Sequence, residues 1–380
     1  MQLLLNAVTR MLDVGQFEEA RANVYKAFEL TEGQDAETQI LIKIQWYGLL
    51  IDLGNESKNK QDLLDGIDFL EKNESDIKKY ITPASYYYNL ANAKDGLCQI
   101  YYQSNPGVQS LKIVKEIFQD PVRLYWMAYN KIESGDDLIK QISVNLANAL
   151  VRTGRLVEAI QFLDIVLKQD EIFPQALISR ANQLDWLSQV SNAGYTTALY
   201  AQIYSNYDTA IKTNKISPFF LSRIVALKNN TAYTLMQLKF EIGKVGQEIE
   251  ETETEYQAHT PFRKFCIDKF LTLNEHGIYC RCVANEKDNL QIGVPNARFP
   301  GNTIAKLELL LNRIKSEYAY SRWSYYQSIS KVGEIDFDTK YTNLMEGEII
   351  NPHSEMLRTS FRICYGILDK MYPAYQLHLC

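Results

Sequence analysis

The residues whose types and spacing come closest to a reactive centre are His276, Cys280 and Cys282, a His-x3-Cys-x-Cys cluster that offers an imidazole and two soft sulfur donors. On a helix, 276 and 280 share a face and 282 points away, and no fourth ligand stands at zinc-site spacing. These residues are therefore expected to be structural, a buried apolar cysteine and a capping or core histidine, and no metal and no cofactor is expected. The histidines at 259, 276, 353 and 378 lie in no Ser, Cys or Asp arrangement, and no glycine loop resembles a phosphate cradle. The glycines near 293 and 301 sit in a proline-containing loop, which excludes a P-loop, and the chain does not read as a classical hydrolase or kinase.

Two further groups could bind rather than react. Tyr318, Tyr320, Trp323, Tyr325 and Tyr326 lie beside Arg313, Lys315 and Arg322, a mixture able to stack bases and hold phosphates. Their helical spacing favours a core stripe with the basic residues on the wet face. Asn89, Asn92, Asn145 and Asn148 recur at matching places, and amides on an inner helical face can grip the backbone of an extended peptide. Satisfying neighbouring turns would use the same amides, and both readings stay open.

These residues need helices to hold them. Ten prolines and 18 glycines are few for 380 residues, and Leu, Ala, Glu, Lys and Gln are plentiful, which predicts an all-α fold. The 25 tyrosines fit helix-on-helix packing with hydroxyls reaching water. Ala7, Gly15, Phe17, Glu19, Ala20, Ala27 and Leu30 resemble the tetratricopeptide repeat, a helix-turn-helix unit of about 34 residues. Leu146, Ala147, Gly154, Leu156, Glu158 and Ala159 repeat the pattern, and Gly154 follows Gly15 at about four repeat lengths. Between them, Asn89, Leu90, Ala91 and Ala93 echo Asn145, Leu146, Ala147 and Ala149, and another unit opens after Phe173-Pro174.

The expected organisation is a degenerate tetratricopeptide-like solenoid over 1–255 and a different helical region over 256–380. The segment 226–262 reads as a long helix with an acidic, solvated end at Glu248–Glu255, broken at Pro261. Residues 256–332 hold 11 Lys plus Arg against 6 acidic residues, and 333–355 hold one Lys against 6. The acidic connector could lie across a basic helical face.

The net charge of −6 argues against a chain-wide nucleic-acid surface. Six scattered cysteines suit a reducing compartment, so the cytoplasm is expected. The apolar N-terminus is interrupted before it reaches signal-peptide or membrane-spanning length, and no membrane association is expected.

The segment SFRICYGILDKMY, with FCIDKFLTLNEHGIYCRCVANEKDNLQIG before it, resembles bacterial proteins that join tetratricopeptide-like repeats to a C-terminal HEPN domain. The resemblance implies a small helical bundle of a kind that often acts as a dimer and, in many members, as a metal-independent RNase of toxin-antitoxin or phage-defence systems. Such RNases pair an Arg with a His four to six residues later, the Arg stabilising phosphate charge and the His moving a proton. No arginine stands at that spacing before His353 or His378. Arg358, Arg362, Asp369 and His378 are the candidates that remain, and none rebuilds the pair. The chain ends at Cys380, soon after Asp369, which leaves two readings: an incomplete or split member lacking its histidine, or a non-catalytic association and sensing module. The expected function is partner binding, with a protein or peptide in the repeat groove and a HEPN-like region for RNA contact or homodimerisation. A metal-independent RNase and a peptide-sensing regulator are the alternatives.

Overall fold

A computed structural model describes residues 2–104, 111–133, 135–190, 196–290, 301–330 and 352–379, the backbone alone being described at 2, 111–115, 301–307 and 372–379. Among the described residues there are 16 α-helices and no strand. Two compact units divide the chain, one of residues 1–190 and 195–245, the other of 191–194 and 246–380.

The first unit runs through α1 (Gln2–Asp13), α2 (Phe17–Thr31), α3 (Ala36–Ser57), α4 (Lys60–Lys72), α5 (Glu74–Ile77), α6 (Pro83–Ser104), α7 (Leu111–Lys131), α8 (Leu138–Arg152), α9 (Leu156–Gln169), α10 (Pro174–Val190), α11 (Thr197–Lys212) and α12 (Pro218–Gln237). Apart from the short α5, each helix packs on its neighbours in sequence, and α1, α3, α6, α8 and α10 also touch one another in succession. These five form one layer, backed by the helices between them. Small residues make the approach close: Ala20, Ala27, Ala147 and Ala159 are wholly buried. The helix starts are written locally, as where the Asp35 side chain accepts the Thr38 N–H at 2.9 Å and Asn59 accepts the Gln61 N–H at 2.9 Å.

Gly15 and Gly154 carry the tight turns α1–α2 and α8–α9 with φ of +78° and +81°, a left-handed conformation open to glycine. The ends of this array meet. Ser217 Oγ donates to the Asp13 carbonyl at 2.5 Å, and Phe219 sets its ring edge-on to Phe17 at 5.2 Å.

The long helix expected over 226–262 is two helices. α12 stops at Gln237, where the Phe240 N–H returns to the Leu235 carbonyl at 2.9 Å and Lys239 turns left-handed at φ +59°. A 3-10 turn, Ile242–Lys244, leads into α13 (Val245–Ala258), which carries the acidic run. α14 (Pro261–Asp268) starts at the expected proline, its N-terminus capped by Thr260 accepting the Arg263 N–H at 3.2 Å.

Beyond α14 the second unit is built on 3-10 turns at Glu275–Ile278 and Val283–Glu286 and on two long helices, α15 (Gly301–Ser330) and α16 (Pro352–Leu379). The pairs Glu317–Lys370, Ser321–Ser360 and Ser324–Met356 run in opposite senses, so α15 and α16 are antiparallel. Buried serines let them approach: Ser321 Oγ donates to the Ser360 carbonyl at 2.9 Å and Ser360 Oγ returns a bond to the Ser321 carbonyl at 2.8 Å. The acidic connector of 333–355 falls almost wholly outside the described residues. No described helix is long and apolar enough to cross a membrane.

Candidate functional site

Three of the four asparagines singled out in the sequence converge. A polar cleft of about 320 Å³ opens on the layer formed by α3, α6 and α8, lined among others by Asp52, Asn55 and Glu56 of α3, Tyr88, Asn92 and Asp95 of α6, and Asn145, Asn148 and Arg152 of α8. Asn145 Nδ2 donates to the Tyr88 hydroxyl at 3.1 Å and to Asn92 Oδ1 at 3.0 Å, and Asn92 Oδ1 also accepts from the Tyr125 hydroxyl at 2.8 Å. Asn148 Oδ1 accepts from Gln183 Nε2 at 3.3 Å. Asn89 is half-buried on α6 and does not line the cleft. The amides therefore bond to each other and to tyrosines across helices, not to adjacent turns.

The charges around them are partly matched. Arg152 Nη1 donates to both Asp95 oxygens at 2.6 and 2.7 Å and lies over the Phe118 ring. Asp52 and Glu56, one helical turn apart on α3, face the same cleft, with Lys58 at its rim. Asp52 is exposed at the cleft, and partial loss of its water to the nearby protein, with repulsion from Glu56, pushes its carboxyl up, to about 7. Water on its exposed side moderates the effect. Burial likewise pushes the Tyr88 hydroxyl up to about 12, keeping it a neutral donor and acceptor. A second cleft of about 660 Å³ shares Glu56 and extends along the unit past Gln175, Asn182 and Arg223 to Asp13. Asp52, Tyr88 and Arg152 escape the sequence pattern, although Tyr88 and Arg152 flank the asparagines on the same helices.

In the second unit, Arg322 is not available to a nucleic acid. It is buried, donates to the Leu271 carbonyl at 2.8 Å and pairs with Asp288, which Arg263 also reaches at 3.1 Å. Burial opposes ionisation of Asp288, but bonds from Arg322 and the Leu273 N–H overcome it and hold its carboxyl below the usual range. Arg313 pairs with Glu317 at 3.1 Å, and Lys315 donates to the Leu290 carbonyl at 3.0 Å. Trp323, Tyr325 and Tyr326 pack on Phe262 and Phe265 of α14, but Tyr320 and Trp323 are exposed and Arg322 is buried, so the expected core stripe with its basic residues on the wet face is corrected.

Arg358, Arg362 and Asp369 fall on one stripe of α16 by helical spacing. Arg358 pairs with Glu355. Arg362 is exposed and lines a shallow groove between α15 and α16 with Glu317, Tyr320 and Lys370. Asp369 is exposed, and the side chain of His378 lies outside the described residues. Leu357, Phe361, Tyr365, Leu368 and Met371 project from the same helix into solvent, Phe361 being 70% exposed and Tyr365 and Leu368 61% each.

The expectation that Cys282 points away from His276 and Cys280 is corrected. No helix runs through them: α14 ends at Asp268, Phe270 turns left-handed at φ +55°, and Asn274 captures the His276 N–H at 3.0 Å to start a 3-10 turn. The three ligand atoms lie within 4.8 Å of one another, with Cys282 Sγ 3.7 Å from His276 Nδ1. The Cys280 thiol serves the Cys282 sulfur, which lowers the pKa of Cys282 and raises that of Cys280.

No curated protein matches the chain. The family model described as LA2681-like HEPN matches residues 300–379, which include α15, α16 and the quoted SFRICYGILDKMY but not the quoted segment beginning at Phe265. Residues 300–379 are thus a HEPN-family domain of the LA2681-like kind.

Proposed function

We propose that the chain is a partner-binding protein of a bacterial stress or phage-defence system, in which a tetratricopeptide-like array over 1–255 takes up an extended peptide and the HEPN domain associates with a second copy or contacts RNA. The observation that carries the reading is the convergence of Asn92, Asn145 and Asn148 on one open polar cleft. Amides that already bond across helices are held in fixed directions, and their remaining donors and acceptors suit a peptide backbone, whose groups alternate in the same way. Asp52 and Glu56 add a place for a basic side chain or an N-terminal amine. The test is selection from a displayed random-peptide library against the full chain and against Asn145→Ala. Sequences enriched by the first and lost with the second support the reading; equal enrichment, or none, overturns it.

The HEPN match favours a second reading, a metal-independent RNase. Arg362, exposed in the α15–α16 groove, is then the phosphate-stabilising group, and the proton carrier is a residue outside the Arg-x4-6-His pattern. Incubation of the chain with total cellular RNA and tRNA in chelator, beside Arg362→Ala, decides it. Cleavage lost in the variant establishes the RNase; intact RNA removes it.

A further inference from the structure

The segment between α14 and α15 holds three metal-ligating side chains that neither the peptide cleft nor the HEPN match explains. We propose that His276, Cys280 and Cys282 bind a zinc ion as three protein ligands, with the fourth position open to solvent.

Distance is the first argument. A tetrahedral zinc with Zn–S of about 2.3 Å and Zn–N of about 2.0 Å places sulfur and nitrogen ligands about 3.5 Å apart and two sulfurs about 3.8 Å apart. Cys282 Sγ and His276 Nδ1 stand 3.7 Å apart, and all three ligand atoms lie within 4.8 Å of one another. Small side-chain rotations bring them onto one ion. Two thiolates and an imidazole select a thiophilic cation over magnesium or calcium, which take oxygen ligands.

The second argument is that the backbone bearing these ligands is fixed by buried groups that are not themselves ligands. Asn285, fully buried, donates from Nδ2 to the Cys280 carbonyl at 2.7 Å. Asn274 accepts the His276 N–H at 3.0 Å and donates to the Ala284 and Lys287 carbonyls at 2.5 and 3.2 Å. Arg263 holds the Asn285 carbonyl from α14, and His259 Nε2 lies 3.2 Å from the Cys282 carbonyl. Such outer contacts set ligand direction before an ion arrives. Cys280 is buried while His276 and Cys282 are half-exposed, so the cluster faces water on one side, where an exchangeable fourth ligand sits. The Glu255 carboxylate, on the Val283 N–H at 2.8 Å, adds negative charge beside Cys282 that favours a cation.

The experiment uses the full chain, reduced and stripped with chelator, then given zinc chloride or cobalt chloride and freed of excess by gel filtration. One zinc per chain is expected, and the cobalt form shows thiolate-to-metal charge-transfer and tetrahedral ligand-field bands. Both are lost in Cys282→Ser and in His276→Gln with helical circular dichroism unchanged. Zinc also slows alkylation of Cys282 by iodoacetamide in the unaltered chain, a readout that needs no variant to fold. Absence of the charge-transfer band, zinc content that stays the same in a folded Cys282→Ser, or alkylation indifferent to zinc each overturns the proposal.

Discussion

Both units bury ion pairs, Arg21–Asp62 and Arg180–Asp164 in the first and Arg263–Asp288 and Arg322–Asp288 in the second, but they differ in what else they do with polar groups. In the first, the core between helices is Leu, Ala, Ile and aromatic residues, and the polar side chains Asp52, Asn92, Asp95, Asn145 and Arg152 gather at an open cleft. In the second, the charges of Arg263, Asp288 and Arg322 are spent inside, while Phe361, Tyr365 and Leu368 stand outside on α16. Where each helix buries its apolar residues against its sequence neighbours, polar side chains at the face of α3, α6 and α8 are left to gather at the cleft. A short segment without such neighbours, like 269–290, is held by hydrogen bonds and ion pairs instead.

The sharpest way to break this comparison is to remove Asp288. Asp288→Ala strands two buried guanidinium groups, and loss of one partner in a buried pair costs about 3–5 kcal/mol. Hydrogen exchange should accelerate across α14, the 3-10 turns and α15 and leave α3, α6 and α8 protected. Acceleration spread evenly over both units would mean that the ion network is not what holds the second. In the array the matching lesion is Gly154→Pro, since the proline ring locks φ at a negative value and cannot adopt +81°. A loss of about 3 kcal/mol or more is expected in denaturant unfolding, confined to α6–α10; an unchanged midpoint contradicts the role given to this turn.

How much of this is legible in the sequence follows the same division. The helices of the first unit can be read because their signals are local: Gly15 and Gly154, their flanking alanines and the capping Asp35 and Asn59 act within a turn or two of where they stand. The cleft is half legible, because Asn145 and Asn148 echo Asn89 and Asn92, but which of each pair faces the groove depends on the rotation of α6 against α8, and that rotation leaves Asn89 outside. Asp52 and Tyr125 join from helices without that pattern. The second unit hides its organisation because Arg263, Asp288 and Arg322 come together from separate segments without any periodic signal. His276, Cys280 and Cys282 mislead in a specific way: their spacing separates them only on a helix, and the side chain of Asn274 replaces that helix with a 3-10 turn. The HEPN helices, by contrast, carry a recognisable run in α16, and the family match begins at residue 300.

A milder test asks whether the apolar stripe of α16 is a contact surface. Phe361→Glu lies on an exposed face, so folding should change by no more than about 0.5 kcal/mol. If the stripe joins two copies, sedimentation should show the dimer of the full chain reduced to a monomer. Equal masses at equal concentration would leave the stripe without that role and narrow the contrast between the units to their interiors.

The smallest expected effect concerns Asp52, and it carries a sign. Its carboxyl is raised from an ordinary 3.8 to about 7 because the surrounding protein removes part of its water and Glu56 repels its charge, although the residue itself is exposed. The fold therefore holds this proton better than the unfolded chain does; the stabilising contribution is complete below about pH 4 and is lost as pH rises through about 7. Affinity for a cationic peptide should move the other way across that window, because only the ionised carboxylate attracts an amine. At a cleft edge open to water the attraction is worth about 0.2–1 kcal/mol, or up to roughly a fivefold rise in affinity. Asp52→Asn should flatten both profiles at once. Were stability to become flat while peptide affinity kept its slope, the amine would have to be seated at Glu56 or Asp95, and the cleft would still bind its ligand with Asp52 serving only to tune the helix that carries it.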